Sequence, residues 1–69
     1  MNKAEFTEKI EYIIKKLEER GYSPFEQLSG YVILGDERYI TSHGNARELV
    51  KELPTEDIKE YLMQNGVKL

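Results

Sequence analysis

The fold class this sequence predicts is mainly α: a small four-helix single domain with a short extended segment near 38–41, paired with a second copy. Three observations carry that expectation. Apolar residues recur at the helical period in four separate stretches. Each stretch opens on a residue suited to capping, and each closes on Gly or Pro.

The first helix is expected at about 3–20. Phe6, Ile10, Ile13, Ile14 and Leu17 fall at i, i+4, i+7, i+8 and i+11, one apolar stripe. Asn2 followed by Glu5 resembles a capping box, and Glu5-Lys9 and Glu11-Lys15 are i,i+4 pairs in the favourable order. Gly21 supplies a left-handed stop, with Arg20 in the last turn to meet the helix dipole.

The second helix opens on Ser23-Pro24-Phe25-Glu26, a cap, a first-turn Pro and a capping-box Glu, and runs to Leu34 with Gly35 as its stop. Phe25, Leu28, Tyr31 and Val32 form its buried stripe. Gly30 inside it costs about 1 kcal/mol relative to Ala and implies close helix packing over that point. A rival reading makes Tyr31-Val32-Ile33-Leu34 a strand, in a hairpin with 38–41 around Gly35-Asp36, because these side chains favour sheets.

Asp36-Glu37-Arg38 is a polar link, and Tyr39-Ile40-Thr41 reads as extended. Ser42 and Asn45 are competing caps for a third helix over 43–53, in which Ala46, Leu49, Val50 and Leu53 make one face. Pro54 ends it. Thr55 caps a fourth helix over 55–65, with Ile58, Tyr61 and Leu62 as its face, Asn65-Gly66 as its end and Val67 packing back.

Composition narrows the function. The 69 residues carry 10 bases and 13 acids, a net charge of -3. No basic run exceeds Lys15-Lys16, so nucleic acid is disfavoured as a partner. The chain has no Cys and one His, which excludes disulfides and ordinary zinc ligation and leaves no cofactor or metal expected. No apolar run approaches the roughly 18 residues of a membrane span, and residues 1–5 lack the apolar centre of a signal peptide; a cytoplasmic location follows as the expectation. A chain of this size buries about 62% of its extended surface, near the lower limit for a core that stands alone. With disulfide and zinc excluded, a partner chain is the remaining aid.

Two constellations deserve weighing. Ser42, His43, Asn45 and Arg47 lie in the most polar stretch. Adjacent Ser42 and His43 converge poorly and have no third orienting group, so no enzyme is expected. Helix N–H groups beside Arg47 and His43 would suit an anion or a partner contact, whereas the plainer reading is loop and cap hydrogen bonding. Five tyrosines, by contrast, suit an interface, where the ring packs and the hydroxyl stays wet. Leu28, Tyr31, Val32, Tyr39 and Ile40 are the candidate dimer contacts. No metal-loop spacing or Gly-rich phosphate loop is present. The helix pair 43–53 and 55–65 has the outline of a helix-turn-helix, but its Glu-rich second member is unsuited to reading DNA.

The stretch Gly21-Tyr22-Ser23-Pro24 through Gln27-Leu28-Ser29-Gly30-Tyr31 to Gly35-Asp36, followed in register by Tyr39-Ile40-Thr41-Ser42-His43 and Asn45-Ala46-Arg47, resembles the signature of the IreB-type regulatory phosphoproteins of low-GC Gram-positive bacteria. The likeness covers about residues 17–50; Ser23 stands where the family has Asn, and Glu37 where it has Pro. The resemblance implies a helical homodimer without enzymatic activity. It also implies a regulatory role downstream of a cell-wall-sensing transmembrane Ser/Thr kinase, with phosphorylation on a Thr near the N-terminus. Thr7, the only Thr ahead of the first Gly, is the candidate acceptor. The expected function is therefore a non-enzymatic regulatory or adaptor protein acting through protein contacts. A nucleic-acid-associated regulator and a small anion-binding domain are the alternatives.

Overall fold

A computed structural model describes residues 1–69 and contains four α-helices and no strand: α1 (Lys3–Glu19), α2 (Pro24–Leu34), α3 (Ala46–Val50) and α4 (Thr55–Gln64). Single 3-10 turns at Glu37–Tyr39 and His43–Asn45 lie between α2 and α3. No helix is long and apolar enough to cross a membrane.

α1 starts as expected: Asn2 Oδ1 accepts from Glu5 N at 2.8 Å, and the Asn2 amide reaches back to Glu5 Oε1 at 3.4 Å. It ends in a Schellman closure, with Tyr22 N donating to Leu17 O and Gly21 N to Glu18 O. α4 ends the same way through Val67 N to Leu62 O and Gly66 N to Met63 O. Tyr31–Leu34 belong to α2, so the hairpin alternative fails. The helix keeps its own hydrogen bonds there, and Gly35 N closes it on Tyr31 O at 2.8 Å.

Several boundaries differ from expectation, each for a local reason. The segment near 38–41 is extended at Ile40 (φ -104, ψ 125), but 37–39 curls into a 3-10 turn because Asp36 Oδ1 captures Arg38 N. The third helix is five residues long rather than spanning 43–53. Gly44 (φ 62) and Asn45 (φ 65) are both left-handed, which interrupts any α-helix arriving from Ser42. At its other end, Glu52 and Leu53 donate three residues back, to Leu49 and Val50, in a tightened turn before Pro54. Neither Ser42 nor Asn45 makes a side-chain cap; Thr41 Oγ1 instead accepts from His43 N at 3.1 Å. Ser23 likewise caps only through its backbone, and Pro54 rather than Thr55 occupies the cap position of α4.

Twelve apolar residues close into one core: Phe6, Ile10, Ile13 and Leu17 from α1, Leu28 and Val32 from α2, Ile40, Ala46, Val50 and Leu53 from the middle, and Ile58 and Leu62 from α4. α1 packs on α2 and α3, and α2 on α4. The accessible surface of 4444 Å² equals the roughly 4,500 Å² expected of a compact monomer of this mass. The four apolar faces thus meet within one chain.

Candidate functional site

The polar stretch 41–47 is fastened to the rest of the fold from two sides. From α1, Tyr12 Oη donates to Gly44 O at 2.8 Å, and the Lys16 stem lies against Gly44, where a Cβ would meet its Cδ at 2.6 Å. His43 Nε2 stands 2.8 Å from Glu19 Oε1; since a carboxylate only accepts, Nε2 carries the hydrogen. Lys16 Nζ also reaches Glu19, at 3.1 Å, and sits 5.1 Å from the Tyr12 ring centroid. The His43 hydrogen bond, then that of Lys16, holds the Glu19 carboxyl below its ordinary range.

From the other side, two side chains grip successive carbonyls. Gln27 Nε2 donates to Tyr39 O and Arg47 Nε to Ile40 O, each at 2.8 Å and each partly buried. The Tyr39 ring lies over Gly30, where an added Cβ would come within 2.6 Å of ring carbons Cδ1 and Cε1. The close approach expected at Gly30 is therefore an aromatic ring, not a second helix.

Two of the four motif side chains are bonded within the chain. His43 Nε2 meets the carboxylate of Glu19, and Arg47 bonds a backbone carbonyl through Nε. Ser42 and Asn45 are exposed and do not cap. The helix that follows has only five residues and starts behind a left-handed Asn45. Sequence reasoning missed Gln27 and Glu19, because their partners lie 12 and 24 residues away.

Of the candidate dimer contacts, Leu28 and Ile40 are fully buried in the chain's own core and Val32 is 9% exposed, so they have no surface to offer a partner; Tyr31 and Tyr39 are half-buried. The apolar surface that α2 does present is Ile33 and Leu34, each 63% exposed. A helical-wheel reading could have found them, since they fall off the Leu28–Val32 stripe.

Thr7 is half-buried on α1 and lines a groove of about 380 Å³ between the start of α1 and α4. Met1, Asn2, Lys3 and Phe6 line it from the α1 side, and Asp57, Glu60, Tyr61 and Gln64 from α4. The Phe6 and Tyr61 rings meet edge to face at its floor, 6.2 Å between centroids. Burial, and secondarily the charge of Glu11, pushes the Tyr61 hydroxyl above its ordinary value. No cluster of three or more His, Cys, Asp or Glu side chains forms a metal site.

Comparison with known proteins agrees with the signature. The chain is 45% identical over 51 residues to a UPF0297 protein of Clostridioides difficile (strain 630), a match covering 74% of this chain and 60% of that protein. The chain thus spans about three-fifths of the curated relative's length. The family model described as IreB regulatory phosphoprotein matches residues 1–68. With the motif residues in register and nearly the whole chain matched, this protein belongs to the IreB regulatory phosphoprotein family.

Proposed function

We propose that this chain is a non-enzymatic regulator that acts by protein contact, switched by a Ser/Thr kinase of cell-wall stress signalling, with Thr7 as the phosphoacceptor. It works in the cytoplasm, as a reversible homodimer and with a protein target. Family membership supports a regulatory role. The observation that carries the contact mechanism is the exposure of Ile33 and Leu34 side by side on α2, while His43 and Arg47 of the polar motif each make an internal bond. Two adjacent aliphatic side chains facing water cost free energy that a protein surface recovers on binding.

Thr7 lies in the second turn of α1, so a kinase reaches it only when the start of the helix opens. Two measurements test the reading. Sedimentation at micromolar concentration should detect dimers that Ile33→Ser/Leu34→Ser abolishes without loss of helicity. Phosphopeptide mapping after kinase treatment should find phosphate on Thr7. A monomer throughout, or phosphate confined to Thr41 or Thr55, refutes the corresponding part.

A further inference from the structure

We propose that Asn65 is a spontaneous modification site, deamidated by water, and that the closure of α4 is its brake. Asn65 is followed by Gly66. Glycine is the successor that most favours this reaction, because it sets no Cβ in the way of its own nitrogen. Asn2 and Asn45 are followed by Lys3 and Ala46, whose Cβ atoms crowd the same attack.

In the reaction the Gly66 nitrogen gives its proton to a solvent base and attacks Asn65 Cγ. The new C–N bond closes a five-membered ring. The Cγ–Nδ2 bond breaks, and the amide nitrogen takes a proton from water and leaves as ammonia. Water then opens the ring at one of its two carbonyls. Attack at Cγ gives aspartate at position 65; attack at the backbone carbonyl carbon gives isoaspartate, with the chain running through the side chain. One water is consumed and one ammonia released, with no oxidant or reductant.

The folded chain holds the reacting groups apart. The Gly66 N–H is engaged, donating to Met63 O at 3.0 Å. Asn65 Nδ2 donates to Tyr61 O at 2.8 Å, which fixes the side chain against the helix end. The Asn65 ψ of 16° leaves the Gly66 nitrogen nearly eclipsed with the Asn65 nitrogen, whereas the ring needs it eclipsed with Cβ. The ring therefore closes only after the last turn of α4 opens, and the rate follows the open population. The latch on that turn is Val67, whose N–H donates to Leu62 O at 3.0 Å and whose side chain packs on the core.

The product does not restore the closure. A carboxylate at position 65 cannot donate to Tyr61 O. Its charge lies at the negative end of a helix with no basic residue in its last turn. Isoaspartate also adds a backbone atom to the Schellman turn. Modification therefore turns a transient opening into a lasting one and loosens Val67 from the core.

The test incubates the native chain, folded and unfolded in guanidinium chloride, in warm neutral buffer and maps deamidation by peptide mass spectrometry. In denaturant Asn65 should react well ahead of Asn2 and Asn45. In the folded chain the same site should react at least about tenfold more slowly. Val67→Ala loosens the latch and leaves Asn65-Gly66 intact. It should speed the folded reaction severalfold and leave the rate in denaturant unchanged. Asn65→Asp carries the product charge from the start and should melt about 4–8 °C below the native chain. Equal rates folded and unfolded, or no response to Val67→Ala, overturn the brake. Asn2 or Asn45 reacting first, or no reaction in denaturant, overturns the site. An unchanged Tm for Asn65→Asp overturns the loss of closure.

Discussion

Gly30→Ala is the substitution whose sign the structure decides. Gly30 sits in the interior of α2, where Ala is ordinarily the better helix residue by about 1 kcal/mol. Here the new Cβ would stand 2.6 Å from Tyr39 Cδ1 and Cε1 and 3.0 Å from Cγ. Ordinary carbon contact is about 3.5–4.0 Å, so the ring must withdraw by roughly 1 Å. It cannot swing away freely, because its root is crowded as well as its edge and its own carbonyl is held by Gln27. Overpacking of this kind costs about 1–3 kcal/mol. Set against the helix gain, the net is a loss of about 1 kcal/mol, a fall in Tm of about 4–8 °C. In a Tyr39→Ala background the clash disappears and the same change should stabilise by up to about 1 kcal/mol. Urea unfolding of the four proteins of this cycle gives the coupling directly. Stabilisation by Gly30→Ala with Tyr39 in place would refute the reasoning.

Gln27→Ala and Arg47→Ala should each cost about 1–2 kcal/mol, since each strands a partly buried carbonyl. The double variant should cost less than their sum, because the carbonyls belong to neighbouring residues of one segment; strict additivity in urea unfolding would show independent grips. Glu19 binds its proton less readily folded than unfolded, so its contribution is present above about pH 4.5 and fades as pH falls through its depressed folded value. The Tm gap between the native chain and Glu19→Gln should therefore narrow as pH falls below about 4.5; a constant gap contradicts the bonds of Glu19 to His43 and Lys16. Ile33→Ser/Leu34→Ser should leave Tm within about 2 °C of native, since both side chains are already mostly in water.

The helices were legible because their determinants are local. Ile10, Ile13 and Leu17 recur at the helical period, and Gly21 and Gly66 each precede an apolar residue or a tyrosine that closes a Schellman bond. Cap positions were less legible. Ser42, Asn45 and Thr55 all have the right chemistry, but a left-handed Asn45 and an upstream Pro54 decide which residue the helix begins on. The motif residues could be picked out, but not their work. Gln27 and Tyr39 meet only because α2 folds back over the 3-10 turn, and Glu19 and His43 only because α1 crosses the loop. A hydrogen bond that depends on the tertiary fold leaves no periodic trace in the chain. The same limit explains why Leu28, Val32 and Ile40 were expected at a dimer contact and lie in the core instead.

Core closure within one chain bears on how a dimer would form. An obligate dimer buries about 2,000 Å² or more of largely apolar surface, much as a split core does. Here the accessible surface already matches a compact monomer, and no buried side-chain polar atom lacks a partner. The aliphatic side chains that α2 leaves exposed are Ile33 and Leu34, far less than the surface of a split core. Stability should then depend weakly on protein concentration. If folding required pairing, a hundredfold rise in concentration would add about 2.7 kcal/mol per dimer, or about 1.4 kcal/mol per chain. At about 4–8 °C per kcal/mol that is a Tm increase of about 5–11 °C. For preformed monomers that meet reversibly, melts at about 1 and about 100 μM should differ by less than about 2 °C. A rise in the larger range would mean that the twelve-residue core is insufficient alone and that a second copy completes it.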